Sequence, residues 1–163
     1  SATFGEGMKG MAPDIFLNML NKSFTITAEV DVAANGNGVI VCQGGRFGGI
    51  SFYVKSGKPA FTYNYLGLES FNVLSTQSLK PGKHTIAFDF KYDGGGRGKG
   101  GTGTITIDGA KAGEGRIEKT QPNIFSVDDL ADVGIDEGTW VANYGSSAKF
   151  NGKLGKVNIQ TNK

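Results

Sequence analysis

Residues 92–103 read Tyr-Asp-Gly-Gly-Gly-Arg-Gly-Lys-Gly-Gly-Thr-Gly, and they connect two runs, Thr85–Phe90 and Thr104–Ile107, that have the composition of strands. Glycine tolerates positive φ and lets backbones approach closely, so a cluster this dense marks a connection and not a packed element. The stretch therefore predicts a strand, an exposed glycine loop and a second strand. With Arg97 and Lys99, the same loop is also a candidate cradle for an anion.

The glycine loop does not meet the requirements of a nucleotide site. Gly96, Gly98 and Gly101 match the letters of G-x-G-x-x-G, but a dinucleotide site needs a helix after the third glycine, and here a strand follows. Lys99 also lacks the adjacent Ser or Thr that a phosphate loop uses for magnesium. Nucleotide binding is therefore disfavoured.

Length and composition indicate one turn-rich β domain. The chain has 163 residues, of which 27 are Gly and 4 are Pro. Its 17 basic and 15 acidic residues give a net charge of +2 without a long run of one sign, so no nucleic-acid partner is expected. No apolar run approaches the length of a membrane span, and none reads as a signal peptide, so no membrane partner is expected.

Hydrophobic periodicity predicts an all-β fold, an antiparallel two-sheet sandwich of the jelly-roll or concanavalin A-like type. Alternation begins at Phe24, and residues 35–38 are predicted to close a hairpin after the first strand. Further strands are predicted at residues 39–43, 50–55, 60–65, 71–74, 84–91, 102–107, 111–117, 130–135 and 153–160. Residues 1–22 form an N-terminal segment with one short helix within Ala12–Asn21, and residues 23–163 form a single sandwich domain.

The sequence gives catalysis and metal binding little support. Cys42 lies in an apolar run and His84 opens an alternating strand, so each is interpreted first as a structural side chain. Glycosidase chemistry needs two carboxylates across a cleft, and Glu69, Asp89 and Glu118 can be named but not paired. The acidic segment 128–137 is either a solvated turn or a structural calcium loop.

Glycan binding has a clearer set of candidates. Aromatic rings stack on sugars and guanidinium groups pair with sulfate or carboxylate. The candidate residues for ligand or interdomain contact are Arg46, Tyr53, Tyr63, Tyr65, Arg97, Lys99 and Trp140. Tyr63 and Tyr65 share one face of a strand, so packing in the core remains an alternative for this pair.

Several separated motifs, in order, resemble the C-terminal region of large bacterial arylsulfatases, from about Ala12 to the end of the chain. They are Gln43–Gly49, Tyr63–Glu69, the glycine loop from Tyr92, Gly113–Pro122, Asp132–Asp136 and Phe150–Leu154. The resemblance implies a β-sandwich appended to a type I sulfatase, whose separate α/β domain hydrolyses sulfate esters with a formylglycine and a bound calcium.

The resemblance does not extend to the catalytic site. The formylglycine arises in a Cys/Ser-x-Pro-x-Arg motif, whereas Cys42 is followed by Gln-Gly-Gly-Arg. The resemblance thus implies a non-catalytic domain without a cofactor of its own, whose partner is the sulfatase domain of the same polypeptide, with a periplasmic or secreted location by analogy. The alternative is a free-standing lectin-like module that binds sulfated or acidic glycans.

Overall fold

The computed structural model describes residues 2–4, 22–34, 36–45, 48–65, 67–120, 131–133, 141–142, 144 and 148–162. These residues form eleven strands in two antiparallel sheets, so the predicted all-β sandwich is confirmed. The helix predicted within residues 12–21 lies outside the described residues. Over the described ranges, no helix is long and apolar enough to cross a membrane.

Six strands build the first sheet, in the order β1 (Ala2–Phe4), β11 (Lys153–Asn162), β2 (Ser23–Val32), β7 (Gly82–Tyr92), β8 (Gly101–Ile107) and β9 (Ala110–Ile117). Strand β2 buries every second residue, as its alternating sequence predicts. One face of this sheet therefore faces the core and the other faces solvent.

Five strands build the second sheet, in the order β10 (Ala131–Val133), β3 (Gly38–Gly45), β4 (Gly48–Lys55), β5 (Lys58–Tyr65) and β6 (Glu69–Leu74). Its central strands are buried on both faces. Phe52 and Phe61 face the first sheet, while Tyr53 belongs to a second apolar cluster together with Val141 and Tyr144. The later part of the chain thus covers the outer face of this sheet.

The hairpin predicted at residues 35–38 is wrong. Strand β2 lies in the six-stranded sheet and β3 in the five-stranded sheet, so the connection between them crosses the sandwich. Asn35 lies outside the described residues. The physical reason is that β3 is apolar on both faces, since Ile40 belongs to the main core and Cys42 to the outer cluster. Strand β2, in contrast, has one face exposed to solvent.

Aromatic rings fill the space between the sheets. The rings of Phe61 and Phe88 stack at a centroid distance of 3.7 Å with 4° between their planes, and Phe24 packs at 6.1 Å from Phe88. Phe61 comes from β5 and Phe88 from β7, so this stack joins the two sheets. Burying each ring contributes about 1.5–3 kcal/mol to the free energy of unfolding.

The pairing register gives the sandwich two distinct ends. The end we call the loop end carries the connection between β7 and β8, the turn between β5 and β6, and the segment 118–120 after β9. The opposite end, the turn end, carries the tight turns Ser56-Gly57 and Asp108-Gly109. Strand β3 ends at Gly45 and β4 begins at Gly48, beside the loop end of β5.

Candidate functional site

The glycine loop, residues 93–100, connects β7 to β8 at the loop end. The amide of Asp93 donates a 2.9 Å hydrogen bond to the carbonyl oxygen of Gly100, which closes the base of the loop. Four glycines inside it, at positions 94, 95, 96 and 98, have positive φ, which L side chains rarely adopt. Because Gly101 begins strand β8, the helix that a dinucleotide site requires does not follow.

The phenol of Tyr92 organises this loop from inside. Its hydroxyl donates to the carbonyl oxygen of Gly96 at 2.5 Å and accepts from the amide of Lys99 at 2.9 Å. Thr120 holds the other side of the loop, since its amide donates to Gly98 O at 3.3 Å and its hydroxyl donates to Lys99 O at 2.6 Å. The glycine loop is therefore fixed by side chains despite its composition.

A bidentate ion pair stabilises the base of the glycine loop. The two terminal nitrogens of Arg116 donate to the two carboxylate oxygens of Asp93 at 3.0 and 2.7 Å, and one of them also donates to the Thr102 hydroxyl at 3.2 Å. The Arg116 hydrogen bonds lower the pKa of Asp93, and Asp93 in turn raises the pKa of Arg116. The positive charge of Arg116 is thus largely compensated within the chain.

A half-buried aromatic ring lies next to the loop. The Lys119 ammonium stands 5.1 Å from the ring centroid of Tyr65 and 2.6 Å from a carboxylate oxygen of Glu69. The hydrogen bond that Lys119 donates to Glu69 raises the pKa of Lys119. Because Thr120 follows Lys119 directly and bonds to the glycine loop, this ring and the loop belong to one continuous surface.

Arg97 and Lys99 lie on the exposed side of the glycine loop. Over the described part of the chain, the Lys99 ammonium forms no ion pair, while its backbone is held from both sides by Tyr92 and Thr120. The structure thus places three of the predicted site residues, Tyr65, Arg97 and Lys99, at the loop end of the sandwich. Arg46 and Trp140 lie outside the described residues.

Two other predicted site residues lie in the interior. Tyr63 is 3% exposed in the main core, and Tyr53 is 4% exposed in the outer cluster, 5.2 Å from the Tyr144 ring. The Tyr53 hydroxyl bonds to that of Thr62 at 2.9 Å, and burial raises its pKa. Neither ring face is presented to a sugar.

Sequence reasoning missed Tyr92, Arg116 and Lys119 as parts of this surface. Tyr92 opens the glycine stretch, so its position was a usable signal for an aromatic side chain that orders the loop. The partnerships of Arg116 with Asp93 and of Lys119 with Glu69 span 23 and 50 positions along the chain, and no local pattern encodes them.

His84 and Cys42 have structural surroundings, as predicted. The two ring nitrogens of His84 lie 2.6 Å from an Asp108 carboxylate oxygen and 2.6 Å from the Lys80 carbonyl oxygen. Because both partners accept hydrogen bonds, they favour the imidazolium, and the pKa of His84 is raised while that of Asp108 is lowered. Cys42 is completely buried.

The predicted carboxylates do not gather into a site within the described ranges. Asp89 accepts a 2.6 Å hydrogen bond from the Thr25 hydroxyl, and Glu69 is engaged by Lys119. No group of three or more His, Cys, Asp or Glu side chains suited to a metal ion occurs among the described residues. Of the acidic segment 128–137, only the backbone of β10 is described, so its calcium interpretation stays a prediction.

The two antiparallel sheets and their aromatic core define a jelly-roll sandwich of the concanavalin A-like class, and comparison with solved structures supports that assignment. Domains LG4-5 of the mouse laminin α1 chain match 98% of this chain and 41% of their own length, with 14% identity and a TM-score of 0.61. The LG1-3 region of the laminin α2 chain matches 98% of this chain and 30% of its own length, with 15% identity and a TM-score of 0.61.

A SAP-like pentraxin from Limulus polyphemus is similar over 96% of this chain and 74% of its own length, with 12% identity and a TM-score of 0.54. The chain thus spans less than half of either laminin fragment. At these identities the likeness establishes the fold alone. No protein-family model and no curated protein matches the sequence, and the arylsulfatase resemblance stays a prediction.

Proposed function

We propose that this chain is a non-catalytic binding domain that recognises an anionic glycan, sulfated or carboxylated, at its loop end. The observation that carries the proposal is the placement of Arg97 and Lys99 on a loop that Tyr92 and Thr120 hold in one conformation. A rigid loop loses little conformational entropy on binding, so its charges can contribute to affinity.

The chemistry of the surface suits a sulfate or a carboxylate. Arg97 supplies a planar fork of donors, and Lys99 supplies a compact charge close by. Two neighbouring cations are already paired, Arg116 with Asp93 and Lys119 with Glu69, whereas the Lys99 ammonium forms no ion pair among the described residues. The half-buried Tyr65 ring, with the Lys119 ammonium near it, offers an apolar edge for the sugar.

Titration of the isolated chain with sulfated oligosaccharides, and with the same oligosaccharides after desulfation, tests this proposal. The sulfated form should bind saturably, with an affinity that falls as salt increases. Changing Arg97→Gln together with Lys99→Gln should weaken binding about tenfold or more, since each lost charge-assisted hydrogen bond is costly.

The matched control is Lys55→Gln with Lys58→Gln, which removes the same net charge at the turn end of the sandwich. A long-range effect of net charge alone would weaken binding equally in both pairs of variants, and that result would exclude a site on the glycine loop. Equal binding of sulfated and desulfated sugars would exclude an anionic ligand.

We further propose, from the ordered arylsulfatase-like motifs, that the domain follows a sulfatase catalytic domain in the same polypeptide. Formylglycine and calcium would then belong to that domain. Sequencing the gene upstream of Ser1 tests this proposal, because an in-frame Cys/Ser-x-Pro-x-Arg motif is required. A purely docking role predicts no glycan binding by the isolated chain, which distinguishes it from the binding proposal above.

A further inference from the structure

A second concave surface lies on the solvent face of the six-stranded sheet, toward the turn end. It is a cavity of about 490 Å³, within the range of roughly 300–1,000 Å³ that is typical of small-molecule sites. Side chains from three adjacent strands surround it: Glu29 and Asp31 from β2, Lys83 and Thr85 from β7, and Lys153 from β11.

A β-bulge in β11 creates this cavity. Leu154 pairs with Val30, but the next paired residue is Val157, opposite Ala28, so Gly155 and Lys156 together oppose Glu29. Gly155 leaves the space open: a Cβ atom there would lie 3.0 Å from both the Cβ and the Oε2 of Glu29. Bulge and glycine thus combine to keep a depression in an otherwise continuous sheet face.

Four charged side chains that line the cavity, Glu29, Asp31, Lys83 and Lys153, are of alternating sign. Lys153, Asp31 and Lys83 lie opposite one another across three strands. Among the residues that the structure describes, the side chains of these three and of Glu29 form no ion pair or hydrogen bond. His84 and Asp108, which lie next to them, are hydrogen-bonded to each other.

The balance of these groups indicates the chemical class of the ligand. Two carboxylates and two ammonium groups give no net charge, so an ion of either sign would meet as many like charges as opposite ones. A hydroxyl group both donates and accepts, so it can donate to Glu29 or Asp31 while it accepts from Lys83 or Lys153. We propose that this cavity is a second ligand site, which binds an uncharged polyol, specifically a neutral sugar.

This site is independent of the anion site proposed at the loop end. The two surfaces lie at opposite ends of the sandwich, and they differ in kind: one carries positive charge beside an aromatic ring, and the other carries balanced charges. The chain would therefore contact two parts of a glycan, or two glycans. Failure of one proposal leaves the other unaffected, because each depends on different residues and on a different class of sugar.

The test is a titration of the isotope-labelled chain, followed by amide chemical shifts, with glucose, galactose, N-acetylglucosamine, maltose, cellobiose and lactose as probes. At least one of them should cause saturable shifts at residues 29–31, 83–85 and 153–155. Changing Glu29→Gln with Asp31→Asn should weaken that binding about tenfold or more, through loss of the charged acceptors. Gly155→Ala should also weaken it, because the added methyl group would lie 3.0 Å from the Glu29 carboxylate and displace that side chain.

Thr27→Ala is the matched control, since it changes an outward-facing residue of β2 beyond the cavity and should leave affinity unchanged. Proper folding of each variant is checked by its dispersed amide spectrum. The absence of saturable shifts at the cavity with all six sugars would overturn the proposal. Binding that survives the double substitution, or selective binding of a sulfated sugar at the cavity, would overturn it as well.

Discussion

The hydroxyl of Tyr92 donates a 2.5 Å hydrogen bond to the carbonyl oxygen of Gly96, so an aromatic side chain at the end of a strand fixes the middle of the loop that follows it. The same oxygen accepts from the amide of Lys99. One phenol thereby links two backbone groups of the loop, the Gly96 carbonyl and the Lys99 amide.

Tyr92→Phe should loosen the glycine loop and leave the strands intact. It removes both loop hydrogen bonds, which should lower the free energy of unfolding by about 1 kcal/mol and speed hydrogen exchange at the Lys99 amide. Exchange followed by mass spectrometry or NMR measures the effect. Tyr65→Phe is the control, because Tyr65 contributes its ring to the loop end; equal exchange in both variants would contradict the role of the Tyr92 phenol.

Gly38→Ala should be severely destabilising. Gly38 has φ +117°, and a Cβ atom there would lie 2.3 Å from the Lys149 carbonyl oxygen and 2.5 Å from the Phe150 Cα. The backbone must move, so we expect a loss of more than about 3 kcal/mol in urea unfolding. Gly109→Ala is the control, since it has φ +84° but nothing within 4 Å and should cost only about 1–2 kcal/mol. Similar losses in the free energy of unfolding for both variants would show that backbone strain at positive φ, and not the clash at Gly38, determines the cost.

Tyr144 and Ser51 should be energetically coupled. The Tyr144 hydroxyl donates to the Ser51 oxygen at 2.9 Å, and both residues are completely buried. Removing one partner leaves a buried polar group, so Tyr144→Phe should cost about 1–3 kcal/mol. The double variant with Ser51→Ala should cost less than the sum of the two single variants. Additive losses in urea unfolding would show that this bond contributes little.

Stability should depend on pH through His84 and Asp108. The folded pKa of His84 is raised above its ordinary value of 6.5, so the stability it contributes is complete below that pH and is lost as pH rises through the folded value. The folded pKa of Asp108 is lowered below 3.8, so its contribution is present above that pH and is lost as pH falls through the folded value.

The free energy of unfolding, measured in urea across this range, should therefore be greatest between the two ordinary values and decline toward alkaline pH. His84→Gln should remove the alkaline decline that is due to this pair. Thr27→Ala, on the same sheet, should keep it. An unchanged alkaline slope in the His84 variant would mean that the imidazole is not the titrating group.

Strands were predictable from sequence because alternation is a local signal. Residues 84–91 and 102–107 were expected as strands around a glycine loop, and they lie within β7 and β8 with their pairing in register. The connection after β2 was not predicted correctly, because Asn-Gly turns favour hairpins locally, whereas the sheet to which β3 belongs depends on long-range burial of both its faces.

The candidate site was predictable only in part, for a related reason. Arg97 and Lys99 were found because glycine loops with basic residues are visible in sequence. Tyr53 and Tyr65 have the same side chain, yet one lies inside the outer cluster and the other at the loop end. Burial of Tyr53 depends on Tyr144, which lies 91 positions away in the chain, so composition alone could not separate the two residues.

Strands β6 and β9 close one side of the sandwich. The amide of Thr76, just after β6, donates to the Ala112 carbonyl oxygen of β9, and Gly113 lets the Leu74 carbonyl approach to where a Cβ atom would stand 2.3 Å away. Each strand is the last of its sheet, and such edges commonly recruit strands from other molecules. Because these two edges face each other, neither is open along this side to pair with a strand of another molecule in an amyloid-like polymer. The close approach depends on Gly113, which has no side chain.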